Sequence, residues 1–171
     1  MSWSRRALLG MPLLPLLAGC GFHPMYGEEE AEAVDPELAS VTVLPIADRL
    51  GQQLRFMLRE QLNPDTLDVT PRYLLQVSLN AQRIDLGLQR DATSVRGRID
   101  LSASMHLSRA DNHKEIFQWS AISSADFTIL SDAYAAQVAE DDARVRTIRD
   151  VSRQIRLRLS AFLERQKRRA G

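Results

Sequence analysis

The chain has a single cysteine, Cys20, among 171 residues, which excludes an intramolecular disulfide framework and a cysteine-based zinc site. It has no net charge: 22 Lys+Arg balance 22 Asp+Glu, so no field of one sign argues for nucleic acid. Its leading apolar stretch, Ala7 to Leu17, is eleven residues long and carries Pro12 and Pro15. A membrane-spanning helix needs about 20 apolar residues and tolerates proline poorly. No Gly-rich phosphate loop, G-x-S-x-G elbow or zinc-spaced histidine set is present; the three histidines, His23, His106 and His113, stand apart. Asp141 and Asp142 are adjacent on a helical pattern, where neighbouring side chains diverge by about 100° and make a poor catalytic pair. These absences point away from an enzyme, and no cofactor or metal is expected. What is there, 44% hydrophobic and 26% charged residues, is the composition of an ordered globular domain.

The first 19 residues read as an address. Arg5 and Arg6 form a positive n-region and Ala7–Leu17 an apolar h-region, the pattern of a secretory signal that is excluded from fold reasoning. Leu17-Ala18-Gly19-Cys20 resembles the lipobox of bacterial lipoproteins, in which cleavage precedes a cysteine that carries a diacylglycerol thioether and an N-acyl chain. Gly21 after the cysteine resembles lipoproteins sorted onward to the outer membrane. Cleavage removes two arginines and no acid, leaving 20 basic and 22 acidic residues, a formal charge of −2. Residues 20–40 then read as a lipidated N-terminus and a solvated acidic tether containing Glu28, Glu29 and Glu30. Residues 41–171 read as one domain.

That domain is expected to be α/β, an α+β sandwich of element order β-α-β-β-β-α, with a four-stranded mixed sheet and two helices packed on one face. Val41–Ala47 is a short β-branched strand, which Pro45 either places at an edge or brings to its end. Leu50, Leu54, Met57, Leu58 and Gln61 share one helical face, with Asp48 as the expected N-cap and Asn63-Pro64 as the stop. Tyr73, Leu75, Val77, Leu79 and Ala81 alternate with polar or outward residues, and the apolar phase then moves to Ile84, Leu86 and Leu88. A period of two changes phase only through an extra residue, which predicts a bulge or break near Gln82–Arg83. Val95, Gly97, Ile99, Leu101, Ala103, Met105 and Leu107 fill seven successive odd positions, a strand of roughly 45 Å. Its partner carries Phe117, Trp119, Ala121, Ala125, Phe127 and Ile129 on one face. Short connections make the last three strands an antiparallel meander, whereas the first pair, joined through a helix, should be parallel. From Ser131, apolar residues spaced by three and four predict one long terminal helix, acidic early and basic late, which suits the helix macrodipole. Lys167-Arg168-Arg169 reads as a frayed basic tail, with contact at a membrane surface as the alternative.

Only Lys114 and Lys167 of the 22 basic residues are lysine. Arginine's planar fork grips phosphate and carboxylate bidentately. Arg90, Arg96 and Arg98 gather at the start of the long hairpin, where a coding preference for arginine and a contact with an anionic lipid or phosphosugar both remain open.

Cys20-Gly21-Phe22-His23-Pro24-Met25-Tyr26 resembles the C-G-F-[HQ]-P-L-Y opening of the LptE family of lipopolysaccharide-assembly lipoproteins, with Met25 where leucine is commoner. The element order resembles that family too. The resemblance implies a non-enzymatic lipoprotein of the outer membrane, anchored at Cys20 in the inner leaflet and facing the periplasm. It implies a plug within the lumen of an LptD-type β-barrel that assists barrel assembly and takes part in lipopolysaccharide transport. Gly21, Phe22, His23, Pro24 and Tyr26 would form a membrane-proximal motif, and Arg90, Arg96 and Arg98 would contact lipopolysaccharide or the barrel. A free-standing lipid-binding or transporter accessory lipoprotein is the alternative; it requires an apolar cavity between sheet and helices. A hydrolase would require His106 or His113 in a pocket beside an acid and a hydroxyl.

Overall fold

The computed structural model describes residues 36–64, 67–88, 95–129 and 131–170. The elements run α1 (Pro36–Ala39), β1 (Val41–Val43), α2 (Asp48–Leu62), β2 (Tyr73–Leu88), β3 (Val95–Arg109), β4 (Glu115–Ile129) and α3 (Ala133–Ala170). The four strands form one mixed sheet in the order β1-β2-β3-β4. β1 pairs parallel with β2, Val41 opposite Tyr73, and the other two pairs are antiparallel. The expected architecture is therefore present, with one addition. Pro36–Ala39, at the end of the acidic stretch, form a helical turn whose Leu38 is buried in the core. Arg72 binds Glu37 at 2.8 Å and holds that turn against β2.

Alternation decides which sheet face is covered. Leu75, Val77, Ile99, Leu101, Met105, Leu107 and Ala121 are buried beneath α2 and α3. Each large apolar side chain taken from water contributes about 1.5–3 kcal/mol. α2 places Leu54, Leu58 and Leu62 in this layer, and α3 adds Ile148, Val151, Ile155, Leu159 and Leu163, the i, i+3/i+4 stripe that its sequence prescribes. At about 1.5 Å per residue, the 38 residues of α3 outreach the 15-residue β3 and β4. Phe162 stacks on Phe117 with ring centroids 4.4 Å apart.

Three local expectations are corrected. The ladder between β2 and β3 runs unbroken from Tyr73↔Arg109 to Asp85↔Gly97, and its irregularity lies between Asp85 and Leu88, not at Gln82–Arg83. No extra residue is needed because Arg83 keeps the inward phase: its Nη1 donates to Glu140 Oε2 of α3 at 2.7 Å and its guanidinium lies 5.6 Å from the Phe127 ring centroid. Ile84 and Leu86 consequently face out, 40% and 45% exposed. Asp48 is the first helical residue rather than the cap; Ala47 takes the N-cap position without a side-chain hydrogen bond, and Asp48 sits at φ 67°, which a short polar side chain tolerates. The basic C-terminus is helical through Ala170, not a frayed tail. Asp132 caps the other end, its Oδ1 accepting the Ala135 N–H at 2.8 Å. Asn63 ends α2 as expected, its side chain donating to and accepting from the Leu67 main chain at 3.0 and 2.9 Å.

Gly51 lies on the buried face of α2, where an added Cβ would stand 2.5 Å from Ile46 Cγ2, 3.1 Å from its Cβ and 3.2 Å from its carbonyl carbon. Alanine normally stabilises a helix interior by up to about 1 kcal/mol over glycine, but overpacking against a main chain costs about 1–3 kcal/mol. Gly51→Ala is expected to lower the denaturation midpoint; a raised midpoint would show that the β1–α2 connection yields.

Candidate functional site

Helices cover only one side of the sheet, and among the described residues no element packs on the other. The even positions of β2, β3 and β4 form that open face: Gln76, Ser78 and Asn80, then Ser102, Ser104 and His106, then Gln118 and Ser120. Register brings their side chains into cross-strand pairs. Arg98 grips Asp126 with both arms of its guanidinium, Nε–Oδ1 at 2.6 Å and Nη2–Oδ2 at 3.3 Å. Ser104 and Ser120 hydroxyls lie 3.4 Å apart, and His106 Nδ1 is 2.9 Å from Glu115 Oε2. Ile122 on β4, 69% exposed, and Ile84 and Leu86 on β2, 40% and 45% exposed, are large apolar exceptions on this face. The surface offers hydroxyls, amides and one fixed ion pair over the length of three long strands.

Of the residues singled out from sequence, Arg96 and Arg98 are on this face. Arg98 is committed to Asp126, whereas Arg96 is exposed and forms no ion pair among the described residues. Arg90, Cys20, Gly21, Phe22, His23, Pro24 and Tyr26 lie outside the described residues. Asp126 went unremarked as a partner, although the alternation of β3 and β4 already put both residues on the even face. His106 has an acid beside it, and both side chains are open to solvent, 36% and 52% exposed. A groove of about 490 Å³ lies elsewhere, at the edge formed by β1 and α2, and is lined by Arg55, Phe56 and Arg59 among others. The layer between sheet and helices is packed with the leucines and isoleucines of the core. No three His, Cys, Asp or Glu converge among the described residues, and no described helix is long and apolar enough to cross a membrane.

The hydrogen bond from Arg98 and its positive charge hold the Asp126 carboxyl below the ordinary aspartate range. Asp150, on α3 beside β4, is also lowered: partial burial opposes this, and hydrogen bonds from Ser123, Gln154 and Arg153 outweigh it. A depressed carboxyl contributes stability above its unfolded pKa and loses it as pH falls through the folded one. Stability is therefore expected to decline on acidification below the normal aspartate range, and Asp126→Asn should flatten that decline in urea titrations at stepped pH. An unchanged slope would assign acid sensitivity to other groups.

Comparison with known proteins places this face in a lineage. No curated protein matches the sequence. The chain is similar to a candidate lipoprotein of Caulobacter crescentus CB15, solved at 2.40 Å, with 26% identity and a TM-score of 0.62 over 77% of this chain and 96% of that one. It shares the fold of a minor lipoprotein of Acinetobacter baumannii, with 16% identity and a TM-score of 0.54 over 72% of this chain and 94% of that one. The LptE family, described as lipopolysaccharide-assembly, matches residues 38–159, from the buried Leu38 to the buried Leu159. The chain thus belongs to the LptE lipopolysaccharide-assembly family.

Proposed function

We propose that this protein is a lipoprotein of the outer membrane that occupies the lumen of an LptD-type β-barrel, assists the assembly of that barrel and serves lipopolysaccharide transport through it. The observation that carries the reading is the open sheet face: polar, hydrogen-bonding and three long strands wide. The interior wall of an outer-membrane barrel is polar as well, and a plug gains affinity from wide matched contact rather than from a cleft. Membership of the LptE family supports the same role. The function is structural and positional, without a catalytic step.

Cys20 is the anchor in this reading. Its thiol carries the diacylglycerol and its freed amine an acyl chain, which fixes the domain to the periplasmic leaflet. Phe22, Pro24 and Tyr26 follow directly, where aromatic rings favour the membrane interface. Arg96, with Arg90 and Arg98 near it in sequence, is the arginine available to a lipid A phosphate or to a carboxylate on the barrel wall.

Cys20→Ala is expected to abolish incorporation of labelled palmitate and to remove the chain from the outer-membrane fraction; label retained by the variant would sink the anchor. A pull-down of the native protein from detergent-extracted outer membrane should bring down a very large β-barrel in stoichiometric amount, and recovery of the lone monomer in every preparation would reject the plug. Arg96→Glu with Arg98→Glu should weaken lipopolysaccharide binding without loss of the folded circular-dichroism signal, because both side chains are solvent-facing. Undiminished binding would assign these arginines to solvent or to contact with the barrel.

A further inference from the structure

Charge is unevenly spread along α3. Between Ala133 and Arg153 there are four acids and four arginines, and three of those arginines are paired: Arg144 with Glu140 and Asp141, Arg146 with Asp142, Arg153 with Asp150. From Gln154 to Ala170 there are six basic residues and one acid, Glu164. Arg158 of this half lies over the Trp119 ring at 5.0 Å. Arg165, Lys167, Arg168 and Arg169 are exposed and make no ion pair among the described residues.

The helix path fixes where these cations sit. Arg146 reaches the carbonyl of Asp126, Gln154 that of Ile122, and Phe162 the ring of Phe117, so α3 runs back along β4 and ends beside the β3–β4 turn. That turn adds Arg109 and Lys114, whose main chains close it with a 3.0 Å bond. Arg72 stands next to it, its carbonyl accepting the Ala110 N–H at 2.9 Å. Pro36, where the described fold starts, is at the same end, since the Arg72 N–H donates to Ser40 at 3.0 Å. Two of the acids at this end are engaged, Glu37 by Arg72 and Glu115 by His106. The macrodipole of α3 favours cations in its last turn with about half a charge; it does not account for the cations contributed by β3 and by the turn.

We infer that this end is a membrane-facing surface that binds anionic phospholipid headgroups. Unpaired cations gathered from a helix end and a neighbouring turn, at the end where the chain enters the domain, match the potential of an anionic leaflet. Binding stands α3 with its C-terminus toward the headgroups and leaves the open sheet face to the side, free for a partner. The choice of membrane rests on the lipoprotein reading above; the charge pattern does not.

The test uses residues 21–171, which lack the leader and the acylated cysteine and keep the whole described core; the Caulobacter protein, 96% of which this chain covers, is almost wholly this one domain. Flotation with phosphatidylethanolamine vesicles containing phosphatidylglycerol should exceed that with phosphatidylcholine in its place by about tenfold or more at low salt, and should fall steeply as salt shortens the screening length. The four changes Arg165→Gln, Lys167→Gln, Arg168→Gln and Arg169→Gln should bring it to the neutral-vesicle level, and Arg109→Gln with Lys114→Gln should lower it by about threefold. Arg149→Gln, exposed in the first half of α3, should leave it unchanged, and the thermal melt of each variant checks its fold. Equal binding to both vesicle types overturns the inference, as does full binding by both folded variants or capture by lipopolysaccharide with none by phosphatidylglycerol. Loss of the palmitate label at Cys20 would remove the anchor and leave this vesicle result standing.

Discussion

Burial of the inward face of β3 and β4 under α3 is the contact to which every long element of this fold answers. Leu101, Met105 and Leu107 are fully buried, and so are Ile148, Ile155 and Leu159 that lie against them. An extended strand rises about 3.3 Å per residue and a helix about 1.5 Å, so a helix must have more than twice as many residues to cover a strand. The 38 residues of α3 against the 15 of β3 meet that ratio. β1 and α2 then close the remaining side of the same layer, and among the described residues no element is left to cover the opposite face.

The two ends of the layer have different chemistry. Where α3 begins, the apolar supply runs short. Gly97 lies under the Phe127 ring, with no space for a Cβ, and Arg83 replaces a core residue, meeting Glu140, whose side chain is only 8% exposed. Arg144 shares that carboxylate, which spares a buried charge the cost of standing alone. Where α3 ends, Phe117 stacks on Phe162 and Arg158 covers Trp119, so the core closes on aromatic rings with cations outside them.

His106 Nδ1 and Glu115 Oε2 lie 2.9 Å apart, and water reaches both side chains. The value of the face lies in area. Many hydroxyls and amides at fixed spacing make a weak site singly and a specific surface together.

Much of this was legible in the sequence. Seven odd-numbered small or apolar residues from Val95 to Leu107 can be buried together on only one face of a strand, and the three- and four-residue spacing from Ile148 onward does the same for a helix, whereas Tyr134 and Val138, earlier in the same spacing, are 80% and 49% exposed. The polar face followed as well, as the complement. Arg83 shows where such reading stops. Its sequence neighbours Ile84 and Leu86 argue for a phase change, because an apolar residue is counted as inward and an arginine as outward. The ion pair with Glu140, 57 residues away, reverses both. In the same way Asp126 became the partner of Arg98 only through register, and Lys167, Arg168 and Arg169 joined the cations of the β3–β4 turn only because α3 folds back along β4. Periodicity is a property of neighbours along the chain, and it determined the elements; charge pairing is a property of neighbours in space, and only the tertiary structure could decide it.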